Sequence, residues 1–303
     1  MNLTVDLLVQ GVISGAIYAL ISIGLAMVYG LLRILHVAHA GLFALGGYVG
    51  LVTTNACGSL AVGLVSSMLL VGLCGAFMYR LCYEPLLERP RYVVLVASVG
   101  LFLAIEEGLR LGFGDYGLTF KVPPMPGAIE LLGIKVKFAE LAVVLMAVVL
   151  LSGLALFAKH TRSGMAWRAT VSEPRMAASF GVNLKRVRYL NFFIGSAFAA
   201  AAGVMVVVLN NVAEPQMGAV PSYKALAIIV LGGFGSLGGT LAAALLLGVI
   251  EAFGSVFLSA WLDRDSIAFA TMLIVLLLRP QGLIAAGWRM PRCWRRSSTV
   301  RAP

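Results

Sequence analysis

Apolar residues fill long runs near residues 8–29, 41–58, 60–79, 92–113, 138–158, 189–209, 225–257 and 265–284, with few polar interruptions. A bilayer core takes about 20 apolar residues per helix, so most of these runs predict one crossing each. The run 225–257 is too long for a single crossing, and Gly232-Gly233-Phe234-Gly235-Ser236-Leu237-Gly238-Gly239 interrupts it near the middle. Glycine costs about 1 kcal/mol per helical position relative to alanine, so the cluster predicts two short helices or a re-entrant hairpin. The expected fold is all-α and polytopic, with about 8 transmembrane helices and glycine-broken segments near 41–50 and 231–239.

Composition agrees with this pattern. Of 303 residues, 60% are hydrophobic and 12% charged, against roughly 25% charged in soluble chains. So few charges cannot coat several helices with polar faces, which excludes a soluble enzyme, a disordered hub and a disulfide scaffold. The net charge of +10 matters through its placement, because cytoplasmic loops collect Lys and Arg. Seventeen of the 23 basic residues fall on one side when the loops are assigned alternately: Arg33, the 80–91 and 159–188 segments, and the stretch from Arg279 onward. That sorting requires an even number of crossings between 189–209 and 265–284, as a hairpin over 225–257 supplies. It predicts an outside N-terminus and a cytoplasmic C-terminus, with a membrane permease domain over 1–287 and a basic tail over 288–303. Met1 to Asp6 lacks the basic stretch of a cleavable leader, so the first run is expected to stay as a span.

The segment 159–188 is the most informative part outside the spans. Thr170-Val171-Ser172-Glu173 has capping-box form, Pro174 suits a first helical turn and Gly181 suits a left-handed cap. These predict a short helix near 173–180 whose Met176 and Phe180, four apart beside Ala177, form an apolar ridge. The ridge fits a cytoplasmic partner or the headgroup layer equally well. His36 and His39 lie between two apolar runs without nearby carboxylate or thiol, which favours packing at a helix junction over a metal. Glu106, Glu107 and Arg110 in the fourth run and Glu251 in the seventh are expensive in hydrocarbon and are expected to face protein or water. Glu106 and Arg110, four apart, can pair.

Two protease-like signals fail on chemistry. Gly112-Phe113-Gly114-Asp115 lacks a second intramembrane aspartate, and Gly235-Ser236 follows all three histidines, leaving no base downstream. None of the six lysines is followed by Ser or Thr, so no phosphate-binding P-loop is present. Any ATP that drives this protein is expected on another subunit. The cysteines show neither a C-x-x-C pair nor metal spacing, and no cofactor or metal is expected in the chain.

Several segments together resemble the integral-membrane permeases of branched-chain amino-acid ABC importers, over roughly residues 7–284. They are Gly15-Ala16-Ile17-Tyr18-Ala19-Leu20 with Gly24 and Tyr29-Gly30; Ala38-His39 with Leu42-Phe43 and Leu45-Gly46-Gly47-Tyr48; Arg168-Ala169 with Ala177-Ala178 and Gly181-Val182; Lys224-Ala225 with Leu231-Gly232-Gly233-Phe234-Gly235-Ser236; and Arg279-Pro280-Gln281-Gly282-Leu283. Around His39 the chain departs from the family's usual Asn-Phe-Ala-His-Gly. The resemblance implies a bacterial inner-membrane subunit with two ABC ATPase chains, a second related permease and an extracytoplasmic solute-binding protein as partners, surrounded by lipid and without nucleic acid. It further implies that Arg168, Glu173, Arg175, Met176, Ala177, Phe180 and Gly181 dock on an ATPase. The loop 114–137, with Pro123, Pro124 and Pro126, is a candidate landing surface for the binding protein. A urea or short-amide permease of the same superfamily and an ion-coupled secondary transporter using Glu106, Glu107 or Glu251 are the alternatives.

Leu45-Gly46-Gly47-Tyr48 and Leu231-Gly232-Gly233-Phe234 repeat a Leu-Gly-Gly-aromatic pattern in the two halves. Glycine-broken segments in corresponding halves point to a midplane pathway, while close helix packing is the other reading. On the pathway reading, His39, Gly46, Gly47, Tyr48, Gly232, Gly233 and Phe234 flank the route.

Overall fold

The computed structural model describes residues 3–131, 134–233, 236–258, 261 and 263–278. Phe234, the Arg279–Leu283 segment and the basic tail lie outside them. Among the described residues, seven helices are long and apolar enough to cross a membrane. In chain order the helices are α1 (Leu3–Leu32), α2 (His39–Cys57), α3 (Leu60–Met78), α4 (Glu84–Leu86), α5 (Arg91–Phe113), α6 (Phe138–His160), α7 (Arg162–Ser172), α8 (Pro174–Ser179), α9 (Leu184–Asn210), α10 (Ala219–Gly232), α11 (Leu237–Phe257) and α12 (Arg264–Leu278). A π-helical turn, Tyr79–Tyr83, joins α3 to α4. The wider turn comes just before Pro85, whose missing N–H and ring a regular helix cannot accommodate.

Short strands gather at one end of the bundle. β2 (Ala128–Leu131) and β3 (Ile134–Lys137) form a hairpin, while β1 (Leu118–Thr119) pairs with β4 (Val212–Ala213). This is the hairpin end; α7 and α8 mark the opposite, loop end.

Lipid is as apolar as leucine, so helices in a bilayer associate through close packing rather than through exclusion of water. Small residues do this here. A Cβ on Gly46 would lie 2.3 Å from Ala200 Cα, and one on Gly203 would lie 2.1 Å from the Phe43 carbonyl oxygen. A Cβ on Gly248 would lie 2.4 Å from the Gly11 carbonyl oxygen. Two glycine seams result, α2 on α9 and α1 on α11, and α1 is almost wholly enclosed. By contrast α5 and α6 keep most of their apolar surface outside the bundle.

The two expected breaks have different outcomes. At 231–239 the break is present: α10 ends at Gly232, Gly233 takes φ 88°, and α11 begins at Leu237 with the Ser236 hydroxyl accepting from the Gly239 N–H. The run divides into one short and one full-length helix, and α10 starts at Ala219, ahead of its apolar stretch. At 41–50 there is no break. α2 passes through Gly46 and Gly47 as continuous helix, because these glycines serve contact with α9 rather than a turn.

Candidate functional site

At the loop end, α8 spans Pro174–Ser179 with Pro174 in its first turn. Gly181 has φ 82°, and the Val182 N–H bonds the Ala177 carbonyl at 3.1 Å while the Gly181 N–H bonds that of Ala178 at 2.9 Å. This is the glycine-capped ending the sequence predicts. The start differs from expectation. Thr170 lies within α7 and its hydroxyl bonds back to the Ala166 carbonyl, so it caps nothing, and extended Glu173 occupies the N-cap without a side-chain bond. Ala177 is buried, whereas Met176 is 58% and Phe180 82% exposed. Arg168, Glu173 and Arg175 are exposed around them. The apolar ridge therefore projects from the bundle. A groove of about 240 Å³ lies nearby, lined by Arg162, Ala166, Val182, Arg186, Val187 and Leu190 among others.

The first glycine segment is packed against neighbouring helices. Gly46 meets Ala200 and Gly47 meets Met217 and Val207. Tyr48 is buried against Phe113, with ring centroids 5.0 Å apart. His39 is buried too, with Nε2 3.1 Å from the Ile21 carbonyl oxygen, and His36 Nδ1 lies 2.6 Å from the Tyr83 hydroxyl. Both histidines tie the α1–α2 junction to neighbouring helices. Gly232 packs on Gly239 at the α10–α11 turn.

What sequence reading missed is the convergence of ionisable groups on α1, α10, α11 and α12. Lys224 is only 2% exposed and Glu251 is fully buried. The Lys224 ammonium lies 2.9 Å from Glu251 Oε1, off the axis of a hydrogen bond, and 2.9 Å from Asp265 Oδ1. It also donates to the Tyr18 hydroxyl at 3.2 Å, which in turn donates to Glu251 Oε2 at 2.7 Å. Arg264 Nε reaches the same Oε2 at 3.1 Å, and Arg264 Nη2 donates to Ser14 Oγ at 2.8 Å. Two cations and two carboxylates balance. A buried ion costs several kcal/mol to desolvate unless paired in this way. Glu251 was readable as a carboxylate in need of a partner; Lys224 was not, because it precedes the apolar run and belonged by sequence to a loop.

The cluster adjoins a cavity of about 660 Å³. Tyr29, Arg33 and Leu35 from the loop end of α1, Arg91, Tyr92 and Leu95 from the start of α5, and Tyr223, Leu226, Val230, Phe269 and Met272 from α10 and α12 line it. Its walls are mostly aliphatic and aromatic. Tyr223 links the two places: it adjoins Lys224 in α10, and its ring stacks on Phe269 of α12 with centroids 5.0 Å apart. A second ionic group sits at the hairpin end. Arg110 bridges Glu107 at 2.6 Å, Asp115 at 2.9 Å and Glu106 at 3.7 Å, giving the expected pairing and extending it to Asp115.

Ionisable groups paired inside a helical membrane bundle, beside a helix that stops within it, mark proteins that pass solutes across bilayers; the class is a polytopic transport permease. The chain belongs to the family described as branched-chain amino acid transport system, permease component, which matches residues 7–278. It is 30% identical to the high-affinity branched-chain amino acid transport system permease protein LivH of Salmonella typhimurium, covering 91% of this chain and 93% of that one. It is also 30% identical to BraD of Pseudomonas aeruginosa, covering 91% and 94%. A lesser similarity, 26% over 88% of this chain and 68% of the other, relates it to the permease protein LivM of Escherichia coli. In fold it resembles PsaBC from Streptococcus pneumoniae, solved in complex with Fab, with a TM-score of 0.50 at 11% identity over 93% of each chain.

Proposed function

We propose that this chain is one permease subunit of an ATP-driven importer of branched-chain amino acids, working beside a second, related permease in an inner membrane. The observation that carries the reading is the broken pair α10 and α11, with its charged cluster and apolar cavity, in a chain of this family. The resemblance to both LivH and LivM supports a pair of related permeases rather than a pair of identical ones. The gathering of Lys and Arg in the loops of one side supports a cytoplasmic loop end, with α8 and the C-terminus, and an outside hairpin end with the N-terminus.

In this reading the chain does conformational work. One of two ATPase subunits presses on the α8 ridge, Met176 and Phe180 entering an apolar seat on it and Arg168, Glu173 and Arg175 guiding the approach. Ala177 and the Gly181 ending transmit the push to α7 and α9. An extracytoplasmic binding protein delivers solute at the hairpin end, where the 114–137 loop and the Arg110 ion group present themselves. Nucleotide is bound by the ATPases, and the permease itself carries no cofactor.

The test is reconstitution of the chain with its second permease, ATPases and binding protein in proteoliposomes. Leucine is expected to accumulate only with ATP, and the chain alone to accumulate none. Phe180→Ala and Met176→Ala are expected to leave the bundle's melting temperature unchanged while cutting ATP-dependent uptake several-fold. Uptake that survives loss of the ATPases and collapses with the proton gradient would overturn the proposal, and transport of urea or short amides in place of leucine would reassign the solute.

A further inference from the structure

Three features single out the mouth of the charged cluster. The cluster holds both signs of charge within one ion-paired group, yet its members are unequally enclosed: Lys224 and Glu251 are buried, while the side chains of Asp265 and Arg264 are 47% and 50% exposed. One carboxylate and one guanidinium are thus within reach of a solute, with an ammonium directly behind them. The apolar cavity begins on the same two helices. Asp265 stands one helical turn before Phe269 and two before Met272, both of which line it, and Tyr223, next to Lys224 in the chain, stacks on Phe269 while lining it too. A polar patch that accepts one positive and one negative group, placed at the edge of an aliphatic chamber, matches one chemical class: a zwitterion carrying an aliphatic side chain.

We infer that Asp265, Arg264 and Lys224 form a recognition site for the α-ammonium and α-carboxylate of the transported amino acid, with the stacked Tyr223–Phe269 pair separating that site from the chamber that receives the side chain. This deepens the proposed function and rests on it. The ammonium of the solute takes the Asp265 carboxylate, and its carboxylate takes Lys224 and Arg264. The Lys224–Asp265 bridge holds the empty site closed upon itself, so the resting protein leaves no unpaired charge in the bilayer. When the zwitterion enters, each half of the bridge exchanges one partner for another of the same sign, and the net charge of the group stays zero throughout. Glu251, with Tyr18 and Arg264 on its other oxygen, keeps the lysine charged during the exchange.

The probe is leucine, with 4-methylpentanoate, which lacks the ammonium, as competitor, binding being measured on the solubilised permease pair without binding protein. Wild type is expected to prefer leucine. Asp265→Asn is expected to weaken leucine binding about tenfold, the scale of one charge-assisted hydrogen bond, and to erase the preference over 4-methylpentanoate. Asp265→Glu is expected to keep that preference. Unchanged affinity and preference in Asp265→Asn, or no leucine binding by a wild-type pair whose full assembly imports leucine, would overturn the inference. Failure of the wild-type assembly to import leucine at all would sink the proposed function instead, before any variant is made.

Discussion

The two Leu-Gly-Gly-aromatic segments carry nearly the same residues and end in opposite structures. Around Gly46 and Gly47 the helix runs on and the glycines disappear into a seam with α9. Around Gly232 and Gly233 the helix stops. The difference lies in the next few residues of each segment. After Tyr48 come Val49, Gly50, Leu51 and Val52, none of which offers the backbone another partner. After Gly233 the chain soon reaches Ser236, whose hydroxyl caps the first turn of α11. A glycine pair weakens a helix, but a capping residue within a few positions is what makes a new helix cheaper than continuing the old one.

The contrast between a seam of glycines and a cluster of charges gives predictions of graded size. Gly203→Leu should be the most damaging, because its new atoms meet the Phe43 carbonyl and the Gly47 nitrogen, backbone on both counts. Fluorescence-detected size exclusion should find no monodisperse protein. Lys224→Met should cost about 3 kcal/mol or more, since it strips a buried carboxylate of one cation. Adding Glu251→Gln should restore much of the lost melting temperature, and equal melting of the single and double variants would show that the pairing contributes nothing. Gly233→Ala should cost about 1–2 kcal/mol for a side chain held at φ 88°. Gly153→Ala, whose Cβ meets nothing within 4 Å, should be neutral or stabilising by up to about 1 kcal/mol.

Much of this architecture was legible in the chain because hydrocarbon enforces it. Long apolar runs must be helices there, and the sequence of the α8 region carried its own Pro174 start and Gly181 stop. Thr170 was misread because a capping pattern is local, whereas its hydroxyl was already bonded inside α7. Glu106 and Arg110 were found as a pair because helical spacing alone brings them together. Tyr18, Lys224, Glu251 and Asp265 were not, since 206 residues separate Tyr18 from Lys224 and 233 separate it from Glu251. No local periodicity encodes such a meeting; it depends on where α10 lies, and that depends on the short turn between α10 and α11. Gly46 and Gly47 looked like a break because the same residues serve both purposes and only the neighbouring helix distinguishes them.

The strand pair β1–β4 has a mechanical consequence. Leu118 and Thr119 are laced to Ala213 and Val212, and the Asn55 amide fastens the lace by donating to the Thr119 carbonyl at 3.2 Å and accepting from the Lys121 N–H at 3.0 Å. The segment leading into α10 is thereby tethered to the proline-bearing loop at the rim. A force applied to that loop would reach the helix holding Lys224 through four strand residues and one asparagine, which makes the rim a handle on the interior.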